Sequence, residues 1–233
     1  MALPRLNDVP KYTLKIPSTN KEITYRPFLV KEQKVLLMAL ESQDDKQILQ
    51  AVLDTIEACV LDKINATNLA LFDLEYIFLK IRSVSVGEGA EVTIKCQKCE
   101  NPVKTKIDLN SITFDKMPEN RIKINDKYTI QMMYPTFNTT ISGVSNSTLA
   151  EQVYIAALGC LDKLLTNDEV IDFKDETEEE KKAFLESLTA LQFESIIEFV
   201  NNLPRLRKEV EYKCEECNTI NKTTLEGLQD FLS

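Results

Sequence analysis

Apolar and polar positions alternate over the first 27 residues. Tyr12, Leu14 and Ile16 follow a period of two, Pro17-Ser18-Thr19-Asn20 interrupts it, and Ile23 and Tyr25 resume it. This pattern predicts a β-hairpin, with Asn20 in the left-handed turn position that glycine commonly fills. Past Pro27 the period becomes helical. Good helix formers run from 30 to 40. A second helix, about 44–60, carries Ile48, Val52, Ile56 and Val60, widened by Leu49 and Leu53, with Asp44 and Asp45 at its positive end. A third, 69–83, carries Leu74, Ile77, Phe78 and Ile81. Its apolar residues, which also include Leu71, Phe72, Tyr76 and Leu79, cannot share one face. That helix is therefore either central in its own domain or turns a face to another chain. Gly87-Glu88-Gly89 ends this block.

Farther along, Ile122 and Ile124, then Tyr128, Ile130 and Met132, predict a second hairpin turning at Asn125-Asp126. A helix is predicted over 147–161, with Leu149, Val153, Ala157 and Leu161 on one face. Thr177…Glu180 and Thr189…Gln192 read as capping boxes opening two more helices, the second ending at Pro204. The acidic stretch 172–180 reads as a solvated loop and first helical turn, with a cation-attracting patch as the alternative. Hairpins and helix runs are segregated rather than alternating, so the fold class is α+β.

Composition narrows the chemistry. Of 233 residues, 43% are hydrophobic and 28% charged, as in ordinary globular proteins. There is no histidine, which excludes His-based triads and imidazole zinc ligands. Five glycines cannot be arranged into a phosphate loop or a dinucleotide fingerprint. The formal charge of −9 and pI near 4.8 disfavour nucleic acid and anionic membranes as partners. No apolar run is long enough to span a membrane, and MALPRLNDVPKY lacks the core of a signal peptide. The expectation is a soluble, non-enzymatic protein of a reducing compartment, with no small-molecule substrate.

Four of the six cysteines form two C-x-x-C pairs, Cys96/Cys99 and Cys214/Cys217, within matching sequences. Glu91-Val92-Thr93-Ile94-Lys95-Cys96-Gln97-Lys98-Cys99 and Glu209-Val210-Glu211-Tyr212-Lys213-Cys214-Glu215-Glu216-Cys217 agree at five of nine positions. Each pair has strand-like runs on both sides. Two residues between cysteines let one tight turn point both thiolates at one ion, and two such turns supply four sulfurs in a tetrahedron. The expected metal ligands are therefore Cys96, Cys99, Cys214 and Cys217, holding one structural zinc per chain in a zinc-ribbon-like element. Iron on the same four thiolates stays open, since the knuckles look alike in sequence. A redox dithiol would call for a helix start, and disulfides for a secreted chain. Cys59 and Cys160 read as small buried hydrophobes.

The spacing between the pairs is unusual, with 114 residues separating Cys99 from Cys214. The expected organisation is an N-terminal hairpin with helices (1–90), a split zinc-ribbon element (91–109 and 208–224), a hairpin and mainly helical insertion (110–207), and a short C-terminal helix (225–233). Lys95, Lys98, Lys104 and Lys106 on the first knuckle face Glu209, Glu211, Glu215 and Glu216 on the second, which reads as charge compensation rather than a phosphate track. A ribbon-type regulatory module for nucleic acid or a polymerase is the alternative function.

Several long motifs carry a resemblance. Leu3-Pro4-Arg5-Leu6, Tyr12-Thr13-Leu14, Ile16-Pro17-Ser18-Thr19 and Tyr25-Arg26-Pro27-Phe28-Leu29-Val30-Lys31-Glu32 form one group. Phe72-Asp73-Leu74-Glu75-Tyr76-Ile77-Phe78-Leu79-Lys80-Ile81-Arg82, closed by Ser85-Val86-Gly87-Glu88, forms the other. Together they resemble the baseplate hub protein family of T-even-type, contractile-tailed bacteriophages, most densely over residues 1–100. The family pattern carries glycine after Pro-Ser-Thr where this chain has Asn20. The resemblance implies a structural or assembly role in the central hub of the tail baseplate, with other hub or tail proteins as partners. It implies the host cytoplasm during assembly, and leaves open whether the protein stays in the virion tail baseplate or leaves as an assembly factor. Within the motif, Phe28 and Leu29 are expected to anchor a helix to the hairpin, and Arg26 to meet a partner or pair with a carboxylate such as Glu75.

Overall fold

A computed structural model describes residues 9–114, 116–137 and 148–227, in two compact units. One comprises residues 1–114 and 205–233, the other 115–204.

In the first unit, β1 (Tyr12–Lys15) and β2 (Glu22–Tyr25) form an antiparallel hairpin in which Leu14 opposes Ile23. Asn20 takes the left-handed conformation, φ 54°. Helix α1 (Val30–Ser42) follows, then α2 (Asp45–Cys59) and α3 (Leu71–Val86). Asp44 caps α2 by accepting from the backbone N–H groups of Lys46 and Gln47. Beyond α2 the chain returns to the hairpin, where Leu61 N–H donates to Thr24 O and Tyr25 bridges Val60.

The three-helix pattern is the expected one, and α3 is the central element. Phe72, Leu74, Ile77, Phe78, Leu79 and Ile81 are all buried, so its all-round apolar surface is consumed within the unit. Phe28 N–H donates to Ser85 Oγ at 2.9 Å, tying the strand-to-helix corner to α3. The Arg26 expectation needs correcting in its partner. The guanidinium pairs with Glu32 at 3.0 Å, because Glu32 lies on the first turn of α1 and is itself buried.

Strands β3 (Gly89–Lys95) and β4 (Pro102–Asp108) form the first cysteine hairpin. Its counterpart pairs β10 (Leu206–Lys213) with β11 (Ile220–Glu226), and the two-residue β5 (Thr113–Phe114) adds to β10. Ala90, Val92 and Ile107 from one hairpin and Val210, Tyr212 and Leu225 from the other bury against Leu79 of α3. The short helix expected over 225–233 does not begin where predicted. Leu225 and Glu226 complete β11 opposite Lys208 and Arg207, and residues 228–233 lie outside the described residues.

The second unit holds a four-stranded antiparallel sheet in the order β6 (Arg121–Lys123), β7 (Thr129–Met132), β8 (Leu161–Leu165) and β9 (Val170–Asp172). Helices α4 (Leu149–Gly159), α5 (Glu178–Glu186) and α6 (Ala190–Asn201) complete it. Ile130, Met132, Ala157, Leu161, Phe173 and Ile196 share its core. The expected hairpin is β6–β7, and Thr177 and Thr189 open α5 and α6 with capping boxes. β8 and β9 are absent from the sequence reading. Leu161 opens β8 opposite Met132 rather than continuing a helix, and Ser147, the expected start of that helix, lies outside the described residues.

Candidate metal centre

The two knuckles are built alike. In the first, Cys96 N–H donates to Asn101 O at 2.9 Å and Glu100 N–H to Cys96 O at 2.9 Å. In the second, Cys214 N–H donates to Thr219 O at 2.9 Å. The residue after each second cysteine is left-handed, Glu100 at φ 60° and Asn218 at φ 56°. Neither is glycine, so each accepts a conformation disfavoured for L-residues in order to turn both sulfurs the same way.

The hairpins bring the four cysteines together. Their Sγ atoms all lie within 4.8 Å of one another. Cys96 meets Cys217 and Cys99 meets Cys214, each at 3.6 Å, so sulfurs of opposite knuckles are in direct contact. A disulfide has its sulfurs about 2.05 Å apart, and all six cysteines are free. Four thiolates each about 2.3 Å from a central ion would sit roughly 3.8 Å apart in a tetrahedron. The observed spacing suits a metal held between sulfurs, and four sulfurs leave no position open for water or substrate.

The electrostatics of the four thiols point the same way. Backbone N–H groups of Cys99 and Lys98 hold the Cys96 thiol down to about 6. The Cys217 thiol is lowered by the Thr219 hydroxyl and N–H. Asn101 N–H lowers Cys99, but burial and the sulfurs of Cys217, Cys214 and Cys96 outweigh it and push that thiol up to about 12. Four thiolates cannot crowd together uncompensated; a bound cation removes the conflict.

A surrounding layer fixes the geometry. Asn221, on β11 and 1% exposed, donates from Nδ2 to Cys96 Sγ at 3.5 Å and to Thr219 O at 3.1 Å. Its Oδ1 accepts from Gln97 N–H at 3.0 Å. Gln97 Nε2 donates to Lys222 O at 2.8 Å, and Tyr212 Oη to Lys95 O at 2.8 Å. Apart from the Thr219 contact, which braces the second turn itself, each of these bonds ties one hairpin to the other. Asn221 was not legible from sequence, since an isolated asparagine in a polar strand carries no spacing signal.

The remaining expectations fall as follows. Cys59 and Cys160 are fully buried and are not members of the cluster, and burial pushes their thiols up to about 11 and about 12. The lysines and glutamates of the two knuckles are all exposed, and Glu211 pairs with Lys222 of its own hairpin at 3.0 Å. Asp172 accepts from Lys174 at the start of a 3₁₀ turn, and Thr177 with Glu180 caps α5, so the acidic stretch forms a loop and first helical turn. Among the described residues no helix is long and apolar enough to cross a membrane.

Among curated proteins and among solved structures, nothing matches the chain. The sequence model of one family, described as T4 bacteriophage base plate protein, matches residues 9–233. That span is nearly the whole chain and takes in both cysteine knuckles, so the protein belongs to the T4 bacteriophage base plate protein family.

Proposed function

We propose that this chain is a non-enzymatic structural or assembly protein of the central hub of the phage tail baseplate, acting through contacts with other hub or tail proteins and stabilised by one structural zinc. The observation that carries the reading is the base plate family match over residues 9–233. Assignment to the hub rests on the resemblance of the Tyr25-Arg26-Pro27-Phe28 and Phe72–Arg82 motifs. Membership of a structural family, together with a four-sulfur cluster closed to substrate, supports a role without catalysis. The protein acts in the host cytoplasm during assembly and at the virion tail baseplate.

Zinc is the ion that four thiolates at this spacing suit in a site without redox work to do. The ligands are Cys96, Cys99, Cys214 and Cys217, and the element they close is a split ribbon, 91–109 with 208–224, interrupted by residues 110–207. A structural zinc in such a site supplies on the order of 10 kcal/mol at neutral pH. Here it also closes a loop of 114 residues, which constrains the unfolded chain strongly.

Native mass spectrometry of a tagged copy captured from infected cells tests both parts. One zinc per chain in a complex with hub proteins is the expected result. Iron in place of zinc overturns the metal assignment alone. A zinc-bearing chain found only with wedge or tube proteins overturns the hub assignment alone.

A further inference from the structure

Helix α1 turns an apolar stripe outward. Its inward face buries Glu32, Leu36 and Ala39. On the opposite side, Val30 is 80%, Leu37 53% and Met38 60% exposed. At 100° per residue, Val30, Lys34, Leu37, Met38 and Glu41 share that outward face. Large exposed apolar side chains gathered on one helical stripe mark an interaction surface rather than ordinary scatter.

The charges on the stripe indicate what covers it. The side chains of Lys34 and Glu41 are exposed, and neither makes an ion pair or hydrogen bond among the described residues. Lys31, beside them, is already held by Glu32 at 3.3 Å. Lys34 and Glu41 are seven residues apart, two helical turns or about 10.5 Å. The midpoint between them falls between Leu37 and Met38. A second α1 laid antiparallel across a two-fold axis at that midpoint sets Lys34 level with Glu41 of the partner, and Glu41 level with its Lys34. Leu37 and Met38 of both copies then meet at the axis. Such a patch is self-complementary, as an isologous contact requires. The helix carries two lysines and two glutamates, so the chain's surplus negative charge does not oppose the pairing locally.

We infer that α1 is a homodimer contact, in which two copies of this chain pack their helices antiparallel through Leu37 and Met38 and lock the register with reciprocal Lys34–Glu41 ion pairs. The contact is independent of the metal site and of the hub assignment.

Sedimentation equilibrium of the full-length protein at low salt tests it, with charge exchange as the diagnostic. Wild type sediments as a dimer. Lys34→Glu sets like charges opposite each other twice per dimer and weakens association by about tenfold or more. Met38→Asp reduces it to monomer by burying a carboxylate at the axis. The double variant Lys34→Glu/Glu41→Lys rebuilds both pairs in reverse and restores dimerisation to within a few-fold of wild type. All of these side chains face solvent, so the variants keep the fold. A monomeric wild type overturns the inference, as does a dimer indifferent to Met38→Asp. A double variant that stays as weak as Lys34→Glu also overturns it, and would assign the stripe to a different protein.

Discussion

Ser18 donates twice to Asp73, from its backbone N–H to Oδ1 at 3.0 Å and from its hydroxyl to Oδ2. The turn that presents Ser18 is the same turn that presents the clustered cysteine sulfurs. Ile16 N–H donates to Lys21 O at 2.9 Å, as Cys96 N–H does to Asn101 O and Cys214 N–H to Thr219 O. Asn20, Glu100 and Asn218 are the left-handed residues of the three turns. In the cysteine knuckle the N–H of Lys98, at the position of Ser18, points at Cys96 Sγ. One backbone design thus offers its N–H groups to a cysteine sulfur of the cluster and to a buried carboxylate at the start of α3.

Asp73 should therefore act as an anchor, and its titration has a definite sign. Asp73→Ala strands the Ser18 donors and costs about 2–3 kcal/mol, whereas Ser18→Ala costs about 1 kcal/mol. Burial raises the Asp73 pKa against the lowering by Ser18, so the folded state binds its proton more tightly than the unfolded chain. The contribution is complete below the unfolded value, near 3.9, and is lost as pH rises through the folded one. Asp73→Asn does not titrate. Its urea-denaturation deficit should be larger at pH 4 than at pH 7, and a deficit growing with pH contradicts the buried anchor.

Glu32 should respond in the opposite direction. Burial raises its pKa, but hydrogen bonds from Arg26, Leu29 N–H and Lys31 outweigh burial and hold it below its ordinary value. Its stabilisation is present above the unfolded value, near 4.3, and disappears as pH falls through the lower folded one. Arg26 also donates to Ala58 O and Pro27 O, so it joins α1, α2 and the hairpin corner. Arg26→Met leaves the buried carboxylate with only Leu29 N–H and the exposed Lys31 as partners and should cost about 3 kcal/mol at pH 7. Glu32→Gln keeps an acceptor for Leu29 N–H and should cost about 1–2 kcal/mol. Urea midpoints at pH 7 check the order, and equal costs would show that the pair does not act as one unit.

The legible parts of this protein are those written in local spacing. Two residues between cysteines dictate the knuckles, the Thr-x-x-Glu and Thr-x-x-Gln signatures dictate the starts of α5 and α6, and period-two alternation dictates β1 and β2. What was missed depends on distant partners. Leu161 falls four residues after Ala157 and continues its helical stripe in sequence, yet α4 stops at Gly159 and Leu161 pairs with Met132 across a bulge. For Arg26 the sequence offers a partner contact or a local carboxylate such as Glu75. The choice of Glu32 is set by the fold of α1 onto the hairpin. Asn221 becomes a neighbour of Cys96 only when two hairpins 125 residues apart come together.

That late-arriving asparagine should tune metal affinity without being a ligand. Asn221 donates to Cys96 Sγ and receives Gln97 N–H, so it orients a sulfur and braces its turn. Loss of a group that positions a ligand typically costs 10–100-fold in metal affinity. Asn221→Ala should therefore bind one metal per chain but release it to a competing chelator about 10–100 times more readily. Wild-type retention in that competition would reduce Asn221 to a packing residue.

The six cysteines should separate into two chemical classes. Metal content should persist in Cys59→Ala and Cys160→Ala and vanish in Cys96→Ser and Cys217→Ser, since only the latter remove a sulfur from the cluster. Thiol reactivity gives an independent readout. In the metal-bound protein the knuckle sulfurs are masked, while Cys59 and Cys160 are fully buried with thiols pushed up to about 11 and about 12, so alkylation at pH 7.5 should be slow everywhere. Chelation removes the mask from the knuckles alone. Cys96, held near 6, should then react well ahead of Cys99, which crowding pushes to about 12. Peptide mass spectrometry after timed alkylation reads the order directly. Early labelling of Cys59 or Cys160 would mean that chelation unfolds α2 or the second unit rather than only opening the site. Equal labelling of Cys96 with and without chelator would mean that no metal is held there, because a thiolate bound to an ion cannot react as fast as a free one.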